Sequence, residues 1–514
     1  MRQRSDRRGS SSSVVSGILR FMRRPVVFAA SLGICSAAFV ALGCASSTPA
    51  ATRAANGDPW AVRVDGRVFR DGLGRQRLFH GYNTKVKGLF DPELSGGRAP
   101  QETFPDLTEQ NFADFEALGF NVLRIPVNWS AIEPEPLQYS QAFLTKLDAL
   151  RAQARAHGIH LLLDMHQDAY SKEIGQDGAP LWAIVPEPKP EQLRSGPYSE
   201  GWRLDEIVVQ AGWNFFRDKT ARDGRSLQTA HIAAASFMVS HVASDTTILG
   251  IEAFNEPIPP IVGGFTFLRD FHEKFAARMN AIDGSLPVFF EPEALRNQSD
   301  RAEKPETPWS VGPGVYAPHV YTAWFSQPSQ DNWASEDPKV LEASVLRTEE
   351  EAAAWQTPLF IGEFGCDQSI TRGPKWLHEE LKLQDRVLAS STAWQREPGL
   401  WGLYDEEGKL RPVTSALVAR SWPRAVAGDL LAIERTSAES MTIRFRGSAV
   451  TEKADHDVSV SDAYWKTVSI SCDGQPVTPA KATGHVTFRC GTATGEHTLT
   501  LTGTVRDEVK AITW

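Results

Sequence analysis

Residues 141–168, QAFLTKLDALRAQARAHGIHLLLDMHQD, contain the two patterns that decide the fold. The first is an apolar repeat at near-helical spacing, formed by Phe143, Leu144, Leu147, Leu150 and Ala154. This spacing predicts an amphipathic helix over Gln141–His157. The second is the run His160–His166, whose apolar body is typical of a strand buried on both faces of a parallel sheet.

The same alternation continues from residue 77 to about residue 420. Strands are predicted at Arg77–Asn83, Phe120–Pro126, His160–His166, Leu249–Asn255, Pro287–Glu291, Val315–Tyr321, Pro358–Glu363 and Leu388–Trp394. Helices are predicted between them at Leu107–Leu118, Gln141–His157, Leu227–Ser244, Thr266–Ile282, Val340–Trp355 and Pro374–Val387. Eight strands alternating with helices predict an α/β fold, specifically a (β/α)8 TIM barrel over residues 59–421.

The pattern changes from about Trp422, where short alternating strings such as Met441–Phe445 carry no helical signal. They predict an antiparallel β-sandwich domain over residues 422–514. Cys472 and Cys490 lie in this strand-rich region and could form a disulfide in an oxidising compartment. Cys366 is expected to be a buried free thiol.

The N-terminus has the composition of an export signal. Seven arginines precede residue 25, and an uncharged, mostly apolar run follows from Pro25 to Gly43. We expect residues 1–43 to be a signal peptide of the lipoprotein type, with Cys44 lipidated and residues 44–58 forming a tether. The mature protein would be exported, and either anchored by lipid to a bacterial membrane or secreted. A signal anchor that stays in the membrane is the alternative.

The charge of the chain limits its partners. Removing residues 1–43 takes away seven arginines and one aspartate, which changes the net charge from −9 to −15. An acidic protein is a poor match for nucleic acid, because phosphate binding needs a basic surface. The histidines are scattered without ligand spacing, so we expect neither a metal nor any other cofactor. We also expect a monomer.

Polar residues follow most of the predicted barrel strands, at the end of a TIM barrel where active sites lie. The fourth strand ends in Asn255-Glu256-Pro257 and the seventh in Gly362-Glu363-Phe364-Gly365. Two carboxylates on either side of a bond are what glycoside hydrolysis requires, one protonated as the acid and one ionised as the nucleophile. Arg124 beside Glu363 would keep that carboxylate ionised.

Other residues at this rim could serve a sugar substrate. Asn255 could bond a sugar 2-hydroxyl, an interaction that strengthens in the transition state. His319 and Tyr321 could position the two carboxylates, and Trp394 offers a flat face for a sugar ring.

These motifs, with Arg124, His166, His319, Tyr321 and Trp394, resemble glycoside hydrolase family 5 over about residues 60–425. Within that family the chain is most similar to the endoglycoceramidases. Four segments carry this narrower resemblance: Gly81-Tyr82-Asn83 followed by Lys87, Asp164–Asp168, Gly178–Trp182 and Phe290-Glu291-Pro292.

The resemblance implies the chemistry. Glu256 would be the acid/base and Glu363 the nucleophile of a retaining double displacement on the bond between a sugar and ceramide. Lys87 and Asp168 would bind the sugar next to the lipid, and Trp376 and Trp394 would stack on sugars. Lys85 departs from the family pattern, which has apolar or aromatic residues there, and this leaves open which lysine reaches the sugar.

Two other functions remain compatible with the sequence. One is a family 5 β-glucosidase or endoglucanase acting on a simpler glycolipid or a polysaccharide. The other is a lipid-anchored carbohydrate-binding protein with an inactive barrel. The long loop 167–227 carries Trp182, Trp202, Trp213, Phe215 and Phe216, which could line a lipid groove or could pack beneath their own loop.

Overall fold

Short strands open the described part of the chain and the barrel follows. The computed structural model describes residues 57–85, 107–194, 200–321, 338–370, 372–490, 494–510 and 512. The expected signal peptide, nearly all of the tether, Cys44 and Lys87 lie outside these residues. Among the described residues no helix is long and apolar enough to cross a membrane.

Three strands precede the barrel: β1 (Arg63–Asp65), β2 (Val68–Arg70) and β3 (Gln76–Arg77). The barrel strands are β4 (His80–Asn83), β5 (Val122–Val127), β6 (His160–Met165), β7 (Ile248–Glu252), β8 (Val288–Phe290), β9 (Gly314–Tyr316), β10 (His319–Val320), β11 (Phe360–Phe364) and β12 (Ser390–Ala393). Every pair in this ladder is parallel.

The ladder closes on itself. Its order is β10-β11-β12-β4-β5-β6-β7-β8-β9, so its two ends are β9 and β10, which are consecutive in the chain. β9 and β10 are the two parts of the sixth barrel strand. Pro318 separates them, because proline has no N–H to donate to the ladder. Tyr316 still bridges Leu359 just before β11. The predicted (β/α)8 barrel is therefore confirmed, with its sixth strand in two parts.

The described helices of eight or more residues are α1 (Glu109–Ala117), α3 (Gln141–Ala156), α4 (Glu206–Phe216), α5 (Leu227–His241), α6 (Gly264–Ile282), α8 (Pro338–Trp355) and α9 (Gly373–Val387). The shorter ones are α2 (Trp129–Ile132), α7 (Arg296–Ser299), α10 (Pro412–Val418) and α11 (Asp507–Lys510). Side-chain caps fix several starts: Ser140 accepts from the Phe143 N–H and Ser226 from the Thr229 N–H.

The long loop after β6 contains α4, a helix that the sequence analysis did not predict. Single 3₁₀ turns at Leu181–Ala183, Pro190–Gln192 and Glu200–Leu204 lead up to it. Several prolines and glycines in the preceding stretch obscured the apolar spacing of α4, whose buried face includes Ile207, Ala211 and Phe215.

The C-terminal strands are β13 (Pro423–Val426), β14 (Asp429–Ser437), β15 (Ser440–Gly447), β16 (His456–Ser459), β17 (Trp465–Cys472), β18 (Gln475–Pro476), β19 (Ala480–Ala482), β20 (His485–Phe488) and β21 (Gly495–Val505). They form antiparallel sheets, one of them with the order β14-β15-β21-β17-β18. Cys472 at the end of β17 forms a disulfide with Cys490, just after β20. Cys366 is a buried free cysteine.

The other C-terminal sheet has the order β1-β2-β3-β13-β16-β20-β19 and so includes the strands that precede the barrel. This differs from the expected division at residues 421 and 422, which placed residues 63–77 with the barrel. The predicted first strand, Arg77–Asn83, is in fact two strands in different sheets. Arg77 turns away from the barrel because its buried guanidinium donates to the backbone oxygens of Arg424 and Pro59, each at 2.9 Å.

Candidate active site

Arg124 on β5 organises the carboxyl ends of the barrel strands. Its side chain is fully buried and donates to Glu252 (Nε to Oε2, 2.8 Å) and to Glu363 (Nη1 to Oε1, 2.7 Å). Asn83 and Asn255 also accept from it, at 2.9 and 2.8 Å. A buried guanidinium is tolerated only when it is paired, so Arg124 fixes several strand ends around one point.

Glu363 lies on the seventh barrel strand, β11. One of its oxygens accepts from Arg124 and the other, Oε2, accepts from the Tyr321 hydroxyl at 2.8 Å. Glycines flank this position for steric reasons. A Cβ at Gly365 would lie 2.2 Å from the Trp394 carbonyl oxygen, and one at Gly362 would lie 3.0 Å from the His319 ring. The Gly-Glu-Phe-Gly motif therefore lets β11 lie close against its neighbours while presenting one carboxylate.

Glu256 follows β7 with a φ of 42°. This left-handed conformation is uncommon for a non-glycine residue. Its Oε1 accepts from Asn297 at 2.7 Å and lies 3.0 Å from His319 Nδ1. Its Oε2 accepts from Arg203, in the loop after the third barrel strand.

His319 connects the two carboxylates. Its Nδ1 lies 3.0 Å from Glu256 Oε1 and 3.5 Å from Glu363 Oε2. One oxygen of Glu256 and one of Glu363 lie within 4.8 Å of each other. Retaining enzymes keep their carboxyl groups roughly 5–5.5 Å apart, whereas inverting enzymes leave room for a water at roughly 6.5–9.5 Å. The spacing is therefore that of a retaining pair.

The pKa values of the two carboxylates differ, but in the opposite sense to the one expected from the sequence. Burial raises the pKa of Glu256, yet Arg203 and His319 outweigh burial and hold that pKa below its usual range. Burial raises the pKa of Glu363, and His319 and Arg124 oppose this increase without cancelling it. Arg203 and His319 thus favour the ionised form of Glu256.

A second group lies at the end of the third barrel strand. His166 Nδ1 is 2.5 Å from Asp164 Oδ2, and His166 Nε2 is 3.5 Å from Asp168 Oδ2. The His166 ring is parallel to that of Trp394, with centroids 6.1 Å apart. Asp168 also accepts from Arg203. Trp394 is partly exposed, so one aromatic face borders the site.

Most of the residues proposed from the sequence are brought together. Nine of them lie around this centre: Arg124, His166, Asp168, Asn255, Glu256, His319, Tyr321, Glu363 and Trp394. The prediction that Trp376 stacks on a sugar is wrong. Trp376 lies on the inner face of α9 with no exposed surface, so it cannot contact a sugar. Lys85 is described, and burial lowers its pKa while Glu397 opposes that change.

Three important residues escaped the sequence analysis. Arg203 and Asn297 lie in irregular or short segments, where no periodicity points to a role. Glu252 did give a signal, since it is a charged residue at the end of the otherwise apolar strand Ile248–Glu252. Trp401 supplies another rim aromatic, with its ring 6.1 Å from that of Tyr321.

The aromatic residues of the long loop divide between the two alternatives left open by the sequence. Phe215 and Phe216 are buried against Phe254 and Phe271, beneath the loop. Trp182 is also buried, against Trp129. Trp202 and Trp213 remain partly exposed and lie against Arg194 and Arg217.

Histidine and carboxylate atoms that could hold a metal ion are found in the same centre. Glu256, His319 and Glu363 form one such group, and Glu252, Glu291 and His319 form another. Arginine nitrogens already contact carboxylates of both groups, through Arg203 and Arg124. The expectation that no metal or cofactor takes part stays a prediction.

A TIM barrel that holds two buried carboxylates at retaining distance on its fourth and seventh strands defines the class of protein, an O-glycosyl hydrolase. The family follows from direct comparison. The model of cellulase (glycosyl hydrolase family 5) matches residues 81–396, so this chain belongs to that family.

Among similar proteins is endoglycoceramidase I of Rhodococcus hoagii (strain 103S), which is 29% identical over 368 residues, or 59% of this chain and 70% of the relative. Endo-glycoceramidase II from Rhodococcus sp. has the same fold. Its ganglioside GM3 complex gives a TM-score of 0.69 at 20% identity, covering 86% of this chain and 100% of that one. Its lactosyl-enzyme intermediate gives a TM-score of 0.68 at 21% identity with the same coverage.

Proposed function

We propose that this enzyme hydrolyses the β-glycosidic bond between an oligosaccharide, or a single sugar, and ceramide in glycosphingolipids. Relatives named endoglycoceramidase and a similar structure bound to ganglioside GM3 support this substrate class. The observation on this chain that carries the proposal is the apolar surface on the same rim as the acid/base.

Seven of the nine exposed large apolar side chains in the described residues lie in loops at the carboxyl ends of barrel strands. They are Leu137, Leu181, Leu204, Ile261, Val262, Leu295 and Leu400. Ile261 and Val262 are 63% and 85% exposed, on the loop that leaves Glu256. Apolar side chains gathered around one mouth indicate a surface for an apolar partner, and a ceramide leaving group is such a partner.

The loop that carries Ile261 and Val262 is built to keep them outward. Pro259 and Pro260 precede them and restrict the backbone, while Gly263 follows with a left-handed φ of 74°. A cavity of about 290 Å³ opens beside this loop. Its apolar lining includes Phe265, Leu268, Phe290, Trp309 and Trp355.

The chemistry proceeds in two balanced steps. In the first, a Glu363 oxygen bonds to the anomeric carbon, the bond from that carbon to the ceramide oxygen breaks, and Glu256 gives its proton to that oxygen. In the second, a water oxygen bonds to the anomeric carbon, the bond to Glu363 breaks, and Glu256 takes the proton of the water. Arg124 and Tyr321 hold Glu363 in place throughout.

The test is product analysis with matched substrates. The protein is incubated with gangliosides, lactosylceramide, glucosylceramide and cellohexaose, and the products are identified by mass spectrometry. We expect intact oligosaccharide plus ceramide, and no turnover by Glu363→Gln. The double variant Ile261→Ser/Val262→Ser should lose about 5- to 150-fold in kcat/KM on lactosylceramide micelles, since removing two exposed apolar contacts weakens lipid binding by about 1–3 kcal/mol.

The same double variant should hydrolyse a soluble aryl β-lactoside at the rate of the unaltered protein, because that substrate has no lipid chains. Cleavage of cellohexaose alone would overturn the proposal in favour of an endoglucanase. Hydrolysis of glucosylceramide alone would favour a β-glucosidase that acts on simpler glycolipids.

We also propose that the protein is exported as a monomer and tethered to a membrane through lipid on Cys44. The basic and apolar sequence of residues 1–43 and the small residues around Cys44 support this. Metabolic labelling with a fatty acid in the native host should label the chain, and Cys44→Ser should abolish the label. Unlabelled protein at the processed mass would indicate secretion, and light scattering of the mature protein should give a monomer mass.

A further inference from the structure

Arg203 contacts two carboxylates of the active site at once. Its Nη1 donates to Glu256 Oε2 and its Nη2 to Asp168 Oδ1. The Arg203 side chain is 22% exposed, so it approaches the pair from the open side of the barrel. In the two steps of the proposed hydrolysis this guanidinium has no role of its own.

Local contacts hold the turn that carries Arg203. On one side Arg194 pairs with Asp205, and its guanidinium lies 5.3 Å from the centroid of the Trp202 ring. The Arg194 N–H also donates to the Glu173 backbone oxygen at 2.8 Å. Arg203 is thus presented to Glu256 by a packed segment of the loop.

The two oxygens of Glu256 have separate partners. Asn297 and His319 serve Oε1, whereas Arg203 serves Oε2. The other charged or titratable groups of this centre include the following: Asp164, His166 and Asp168 from the third strand, Glu252 from the fourth, Glu291 from the fifth, Tyr321 from the sixth, Glu363 from the seventh and Arg124 from the second. Arg203 is the arginine in direct contact with Glu256.

This contact affects the two chemical steps in opposite ways. The acid/base must carry a proton when the aglycone leaves and must be ionised when water attacks. A guanidinium on a carboxylate oxygen favours the ionised form alone. We propose that Arg203 is a positioning residue that supports hydrolysis of the glycosyl-enzyme and opposes its formation, leaving Glu256 Oε2 when the glycosidic oxygen arrives and returning for the second step.

The sign of the pH dependence follows from this role. Without Arg203 the pKa of Glu256 rises, since opposite charges within this range lower a carboxyl pKa by about 1–3 units. Formation of the glycosyl-enzyme needs protonated Glu256. The descending limb of the pH–rate profile for this first step should therefore move to higher pH. Hydrolysis of the glycosyl-enzyme needs ionised Glu256. The ascending limb of the pH–rate profile for this second step should therefore also move to higher pH.

Two substrates separate the steps. A 2,4-dinitrophenyl β-lactoside needs no proton for its leaving group, so its kcat reports hydrolysis of the glycosyl-enzyme. A β-lactoside with an alkyl aglycone needs the proton, so its kcat/KM reports the first step. In Arg203→Met we expect two shifts to higher pH, each of about 1–3 pH units. One is in the ascending limb of the kcat profile on the dinitrophenyl lactoside, and the other is in the descending limb of the kcat/KM profile on the alkyl lactoside. Arg203→Lys should restore part of both shifts.

Arg222→Met is the matched control. Arg222 lies in the same long loop and pairs with Glu187 at 2.6 Å, and its guanidinium also donates to the Leu181 backbone oxygen. In Arg222→Met, both limbs of the pH profiles should lie at the same pH values as in the unaltered protein. Arg203→Gln provides a second neutral variant in case Arg203→Met does not fold.

A uniform loss of rate at every pH, with both limbs unmoved, would overturn the inference and leave Arg203 with a purely structural role. A shift of only one limb would also overturn it, because both steps depend on the same carboxyl group. The inference rests on the retaining chemistry of the family, and soluble lactosides test it. Its failure is therefore distinguishable from a failure of the ceramide proposal, which would leave these lactoside profiles unchanged.

Discussion

At the scale of single residues, the site is a charge balance around Arg124. Its guanidinium lies within hydrogen-bonding distance of Glu252, Glu363 and Asp164, all of them buried. Each of these carboxylates would be costly to bury as a lone anion. The residue that orients Glu363 is consequently also a residue on which the stability of the barrel depends.

Replacing Arg124 with methionine should therefore destabilise the protein as well as inactivate it. Breaking a buried ionic network from one side costs about 3–5 kcal/mol, because the remaining charges lose their partner. Urea unfolding followed by circular dichroism measures this loss. Arg67→Met removes an exposed pair with Glu349 and should cost at most about 1 kcal/mol. Equal losses in the two variants would contradict this account.

The two candidate catalytic glutamates could be predicted from the sequence because each lies at or shortly after the end of an apolar strand, and parallel strands bring their carboxyl ends to one rim. Arg203 and Asn297 could not, since both reach Glu256 from segments without periodicity. Trp376 was misplaced for a related reason. Trp376 lies in the first turns of helix α9, and the helical geometry points its indole into the core.

At the scale of elements, all eight barrel strands were predicted, because buried parallel strands are continuous apolar runs. The ends were less accurate where backbone chemistry intervened. Pro318 divides the sixth strand, and Arg77, the start of the predicted first strand, belongs instead to β3, which pairs with β2 and β13. Pairing with strands distant in the chain leaves no mark on local hydrophobic spacing.

The disulfide is an element-scale constraint, since Cys472 ends β17 and Cys490 follows β20. Its ends are 18 residues apart. Closing a loop of this size restricts the unfolded chain and stabilises the fold by about 3 kcal/mol. The double variant Cys472→Ser/Cys490→Ser should lose about 2–4 kcal/mol in urea unfolding yet keep kcat on a soluble lactoside. A parallel loss of kcat would contradict the separation of this bridge from the catalytic centre.

At the scale of the whole molecule, the barrel and the C-terminal sheets share one core. The described residues form a single compact unit, and their main apolar cluster includes barrel residues such as Leu161 and C-terminal residues such as Phe445. A buried ion pair reinforces the junction: Asp385 on α9 accepts from Arg420 at 2.9 Å and from Arg435 on β14 at 2.6 Å. The C-terminal region therefore shares its hydrophobic core with the barrel and contributes to the stability of the enzyme.

β3 cannot pair with β13 until both strands have been synthesised, and this delays the completion of one sheet. Gln76 is opposite Val426 in that ladder, so the seven-stranded sheet joins segments 350 residues apart. A ribosome adds about 5–20 residues per second, which places about 18–70 s between the synthesis of the two strands. During that interval β1–β3 have no partner beyond their own hairpin edge, and an open edge invites pairing with other chains. The β3 edge therefore stays open until β13 has been made.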